Sequence, residues 1–89
     1  MSSEGGIRLD KWLWCARFYK TRTLAADLCT AGRIRVNGRK TQKAHYAVKR
    51  GDVLTLPQGA QVRIVEVLAH PERRGPASEA AMLYVEREA

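Results

Sequence analysis

Lys20-Thr21-Arg22 places two cations around a residue able to cap a helix. At a helix N-terminus the first backbone N–H groups lack intrahelical partners and carry partial positive charge, so such a corner suits a phosphate. More cations flank it. Arg8, Lys11 and Arg17 precede the corner, while Arg33, Arg35, Arg39, Lys40 and Lys43 lie around Asn37-Gly38 downstream. The chemistry on offer is neutralisation of a polyanion, which releases its condensed counterions and binds without reading sequence. Thr21 and Asn37 are the uncharged groups in this set suited to hydrogen-bonded readout. Both have structural explanations as well, as helix cap and turn residue.

Charge distribution sharpens this reading. The formal net charge of +7 divides into +9 over residues 1–50 and −2 over residues 51–89. Solubility alone does not call for such segregation. An anionic membrane surface would favour one long basic amphipathic helix, whereas these cations are interleaved with turn signals, so no membrane partner is expected. At 89 residues there is room for one domain. No apolar run approaches the roughly 20 residues needed to span a bilayer, and MSSEGGI lacks the features of a secretion signal, so a cytoplasmic protein is expected. Cys15 and Cys29 have no CxxC spacing and read as core thiols. His45 and His70 have no thiol or carboxylate at ligand spacing, so neither a metal nor another cofactor is expected. Asp10 and Asp27 read as helix-terminal charges, with no nucleophile–base pair in view. Neither catalysis nor a small-molecule substrate is expected.

The elements that must position the cations are legible in outline. Residues 1–7 read as a flexible leader, and 8–89 as a single domain that binds a polyanion. Asp10 caps or begins a helix over KWLWCARFYK, ending near Lys20. Leu9, Trp12, Leu13, Ala16 and Tyr19 share one face, while Trp14 and Phe18 project from the other. Thr21 caps a second helix, TLAADLCTA, with Leu24, Ala25, Leu28 and Cys29 as its stripe and Gly32 ending it in the left-handed conformation. Arg33-Ile34-Arg35-Val36 alternates polar and apolar before the hairpin signal Asn37-Gly38. A turn at 49–52, a strand at Val53–Leu56, a turn at Pro57-Gln58-Gly59 and a strand over 61–69 follow. Residues 77–88 favour a short helix, with an extended last part as the alternative. The aromatics Trp14, Phe18 and Tyr19 are expected to pack on Met82, Leu83 and Tyr84 rather than stack on bases. The fold class is α+β: two N-terminal helices packed on a small, mostly antiparallel sheet, with a C-terminal segment.

RLDKWL at 8–13, KTRTLAADLCTAGRIRVNG at 20–38 and VKRGDVLTL at 48–56 together resemble the RNA-binding domain named after small ribosomal subunit protein four, the alpha-L fold. RFYKTR at 17–22 and RRGPASEAAMLY at 73–84 are similar to the bacterial ribosome-associated heat-shock proteins of the fifteen-kilodalton class. The resemblance implies that Arg8, Lys11, Arg17, Lys20, Thr21, Arg22, Arg33, Asn37, Gly38 and Lys40 line an RNA face. It implies as partners ribosomal RNA and the large ribosomal subunit carrying a nascent chain on tRNA, in rescue or recycling of stalled subunits. A monomer is expected. Such proteins commonly continue into a long basic tail, whereas this sequence ends in VEREA, which leaves a tail contact without support in these residues. The rival is a DNA-binding helix-turn-helix protein. Its recognition helix would present Thr23, Ala26, Asp27 and Thr30, a poor set for base edges and phosphates.

Overall fold

Two short helices lie on one face of a five-stranded antiparallel sheet, and the computed structural model describes residues 6–87 of this arrangement. In chain order the elements are β1 (Ile7–Arg8), α1 (Leu9–Cys15), α2 (Arg22–Thr30), β2 (Ile34–Val36), β3 (Arg39–Thr41), β4 (Ala47–Val48), β5 (Val53–Gln58), β6 (Gln61–Val67), α3 (Ala77–Ala80) and β7 (Tyr84–Arg87). The large sheet runs β3-β2-β5-β6-β7, and β1 pairs with β4 separately. The expected α+β class is the one observed. Residues 1–5 of the expected leader lie outside the described residues, but Ile7 is part of the fold, opposite Val48.

Both helices end by the same hydrogen-bond pattern. In α2, Gly32 N–H donates to the Cys29 carbonyl and Arg33 N–H to the Leu28 carbonyl, with Gly32 at φ 77°. This is a Schellman end, in which a left-handed residue lets the chain turn back and satisfy two orphan carbonyls. In α1, Arg17 N–H donates to Trp14 and Phe18 N–H to Leu13, with Arg17 at φ 66°. The helix therefore stops at Cys15 and not near Lys20. Without glycine at this position, the periodicity ran on past the true end. Phe18 and Tyr19 leave the helix and both turn into the core.

Burial alternates along the central strands. Ile34, Val36, Leu54, Leu56, Val65 and Val67 face the helices and are buried with Leu9, Trp12, Leu13, Ala25 and Cys29. Trp12 lies at the centre, its indole N–H donating to the Ala69 carbonyl at 3.0 Å. Phe18 and Tyr84 complete an aromatic group with ring centroids 4.8 Å apart. The expected packing on the C-terminal segment thus holds for Phe18 with Tyr84, whereas Met82 is 73% exposed and plays no part. Trp14 is half-buried under the Arg74 guanidinium, 5.4 Å from its ring centre. β5 extends two residues beyond Leu56 through Pro57, and Gly59-Ala60 makes the turn. The C-terminal segment is a single turn of helix followed by an edge strand.

Candidate nucleic-acid interface

Thr21 fixes the start of α2: its hydroxyl accepts the Leu24 N–H at 3.0 Å, satisfying one free donor of the first turn. Lys20 just before it is exposed, and Arg22 just after it is half-buried. Arg22 turns back to Asp10, whose two carboxylate oxygens take Arg22 at 3.5 Å and Arg8 at 3.1 Å. Burial raises the Asp10 carboxyl pKa, but the hydrogen bond from Arg8 and the charges of Arg22 and Arg8 outweigh it. The net effect holds the group below its ordinary 3.8. Asp10 thereby gathers two cations from different elements on one side of α1.

The cations form three groups. Arg8, Lys11 and Arg22 border a concavity closed on its far side by His70 and Glu72. Lys20 and Arg33 border a second, along the outer side of α2. Arg39, Lys40 and Lys43 border a third on the hairpin, and the Lys40 stem lies over Gly32 at the end of α2. Two expected members stand apart. Arg17 donates to the Gly75 carbonyl at 2.9 Å, tying down the loop before α3. Arg35 lies exposed between buried Ile34 and Val36, so its side chain leaves from the sheet face opposite the helices.

Asn37 and Gly38 are turn residues here, at φ 53° and 83°. The Asn37 amide is spent at both ends: it donates to Asp52 at 3.1 Å and accepts the Val53 N–H at 2.9 Å. Asp52 also accepts the Lys49 N–H, so the hairpin is tied to the 49–52 turn. That turn carries Lys49 and Arg50, which border a further concavity with His70. In sequence Lys49 and Arg50 read as turn residues only, because their nearness to His70 arises from tertiary packing.

Among the described residues, the arginines of β6 and β7 are treated differently, whereas Arg74 donates to the Trp14 carbonyl. Arg63 pairs with Glu86, and Arg87 pairs with Glu66 at 2.5 Å. Lys11, Lys20, Arg33, Arg39, Lys40 and Lys43 have no carboxylate within 4.0 Å among the described residues. Cys15 and Cys29 are buried free thiols, and burial with the Asp10 charge pushes Cys29 up to about 12. No group of three or more His, Cys, Asp or Glu converges among the described residues, and no described helix is long and apolar enough to cross a membrane.

Comparison with known proteins agrees with this architecture. Heat shock protein 15 of Escherichia coli (strain K12) is 51% identical over 80 residues, which are 90% of this chain and 59% of that protein. The chain thus spans about three fifths of the length of such curated relatives. The RQC P-site tRNA stabilizing factor of Bacillus subtilis (strain 168) is 44% identical over 61 residues, 68% of this chain and 70% of that one. A solved structure of Vibrio cholerae heat shock protein 15, described as trimeric, superposes with a TM-score of 0.88 at 40% identity. The match covers 94% of this chain and 83% of that chain. The S4 domain model matches residues 7–54, so the chain belongs to the S4 domain family, in the part of it that includes heat shock protein 15.

Proposed function

We propose that this protein is a non-catalytic RNA-binding module that docks on structured ribosomal RNA of the large subunit, in rescue or recycling of stalled subunits. One observation carries the RNA reading: cations without carboxylate partners gather on α1, α2 and the hairpin, while the arginines of β6 and β7 are neutralised by glutamates. A surface with separated, exposed cations around rigid elements suits backbone and shape recognition of folded RNA. The names of the relatives, a heat shock protein and a factor that stabilises P-site tRNA, support the subunit and its tRNA as partners. The cytoplasm is the compartment where these partners are found. The contact residues proposed are Arg8, Lys11, Lys20, Arg22, Arg33, Arg39, Lys40 and Lys43. Thr21, Asn37 and Gly38 shape the backbone beneath them. We retain the monomer as the working state. The trimeric relative makes sedimentation of the free protein the measurement that decides it.

Charge reversal tests the reading. Arg22→Glu would set a second carboxylate against Asp10 and endanger the fold, so Lys11→Glu with Lys20→Glu is the better pair. This variant should melt like the wild type and lose at least about tenfold in affinity for large-subunit RNA. Its log K against log salt should flatten by roughly two units. Equal affinity in wild type and variant would remove the α1–α2 corner from the interface. Tighter binding to duplex DNA than to folded RNA at equal salt would favour the helix-turn-helix alternative.

A further inference from the structure

Leu24 is 43% exposed on the outer side of α2, one turn from Leu28, although both belong to an apolar stripe. The two leucines floor the concavity whose ends carry Lys20 and Arg33. Its opposite wall is the β5–β6 turn, and that wall is fixed. The Tyr19 hydroxyl donates to the Pro57 carbonyl, and the Gln58 amide donates to the Phe18 carbonyl at 3.0 Å. Among the described residues, no carboxylate lines the space. A backbone phosphate alone would satisfy the cations and leave the leucines in water. An apolar segment alone would cover the leucines and leave both cations unused. The two demands meet in a ligand with a flat apolar face and an anion on either side.

We propose that this concavity receives one unstacked nucleotide of the bound RNA, with its base on Leu24 and Leu28 and its flanking phosphates at Lys20 and Arg33. The proposal rests on the RNA-binding reading above and adds a preference to it. α2 has nine residues, about 13 Å at 1.5 Å each. Lys20 and Arg33 flank the two ends of that span, and both border the concavity. An unpaired nucleotide enters without breaking a base pair, whereas one in a duplex must first be extruded at a cost of a few kcal/mol. Every base offers a flat face, so the site selects an unpaired position with little regard to base identity. The protein therefore distinguishes bulged or looped RNA from continuous duplex by this contact, while the remaining cations bind both.

The test uses the full chain, a stem RNA with a single-nucleotide bulge and the same stem fully paired. Leu24→Ser should weaken binding to the bulged RNA by about tenfold. It should leave the salt slope and the binding of the paired stem unchanged, and Leu24→Met should restore the preference. Undiminished binding of bulged RNA by Leu24→Ser, or equal losses for both RNAs, overturns the proposal. If Lys11→Glu with Lys20→Glu also leaves both RNAs bound as before, the RNA-binding reading itself fails. Should Leu24→Ser not fold, the wild type decides by NMR. Adenosine monophosphate should shift the signals of Lys20, Leu24, Leu28 and Arg33 more than inorganic phosphate does. Equal shifts from the two, or none at these residues, overturn the proposal.

Discussion

Asp10 occupies the first turn of α1, 3% exposed, and holds Arg8 and Arg22 from two other points of the chain. Because its folded pKa is depressed, the stability it adds is present above about pH 4 and is lost as pH falls through the lower folded value. The buried acids Tyr19 and Cys29 work at the other extreme. Burial pushes both up to about 12, from ordinary values of 10.0 and 9.0. Both groups stay neutral in the fold, so their contribution is complete below pH 9 and is lost as pH rises toward 12. The melting temperature should therefore fall steadily across pH 9–12. Tyr19→Phe should flatten the upper part of that fall, at a cost of about 1 kcal/mol at neutral pH for the lost bond to Pro57. A melting temperature constant to pH 12 contradicts this account. The tryptophans divide just as clearly. Trp12→Ala should cost about 3–5 kcal/mol by urea unfolding, much of the roughly 4–13 kcal/mol available to a domain this size. Trp14→Ala, half-buried beneath Arg74, should cost less than half as much. Equal losses would mean that Trp14 shares the core with Trp12.

The ends of the helices are the elements that aim the cations. Gly32 ends α2 at φ 77°, and an added Cβ would lie 2.7 Å from the Lys40 stem as well. Gly32→Ala should destabilise by about 1–2 kcal/mol from the left-handed conformation and should disturb Lys40, measurable as a lower urea midpoint and a weaker RNA complex. A midpoint unchanged within error rules out the strain. This end was legible in the sequence because glycine marks it, as Asn37-Gly38 marks the hairpin and Thr21 the helix start. The matching end of α1 was not legible, because Arg17 adopts the same conformation without glycine's signature. β1 and β4 were also hidden: two residues are too few to show alternation, and their pairing joins Ile7 to Val48 across the chain. Residue types marked the cations, and local structure did not mark their destinations. Arg35 leaves from the far sheet face by pleat, Arg17 is taken up by Gly75, and the Lys49-Arg50 turn joins the surface through His70. Leu24 read as core, since periodicity along α2 cannot show that the β5–β6 turn stops short of covering it.

Across the whole molecule, the unpaired cations of the proposed interface come from the first half of the chain, while the core draws on both halves. The cations belong to α1, α2 and the hairpin, while β6 and β7 pair their own charges and add Val65, Val67 and Tyr84 to the core. The hydrogen bond from Trp12 to Ala69 spans 57 residues of sequence and joins the two parts. It makes the stretch that matches the S4 domain smaller than the stretch expected to fold. The family match closes at residue 54, before Leu56, Val65, Val67, Ala69 and Tyr84 have been made. A polypeptide of residues 7–54 would carry every proposed cation contact and yet leave Trp12 without its Ala69 acceptor and Phe18 without Tyr84. It should show no cooperative melting transition, whereas residues 6–87 should melt as one unit. A cooperative transition in the shorter piece would show that its helices and hairpin suffice. Excision of this signature for grafting onto another protein should therefore transfer the charge without the geometry. On the ribosome the same dependence sets an order of events: α1 and α2 leave the exit tunnel well before the strand that closes over Trp12, and they wait for it incompletely packed.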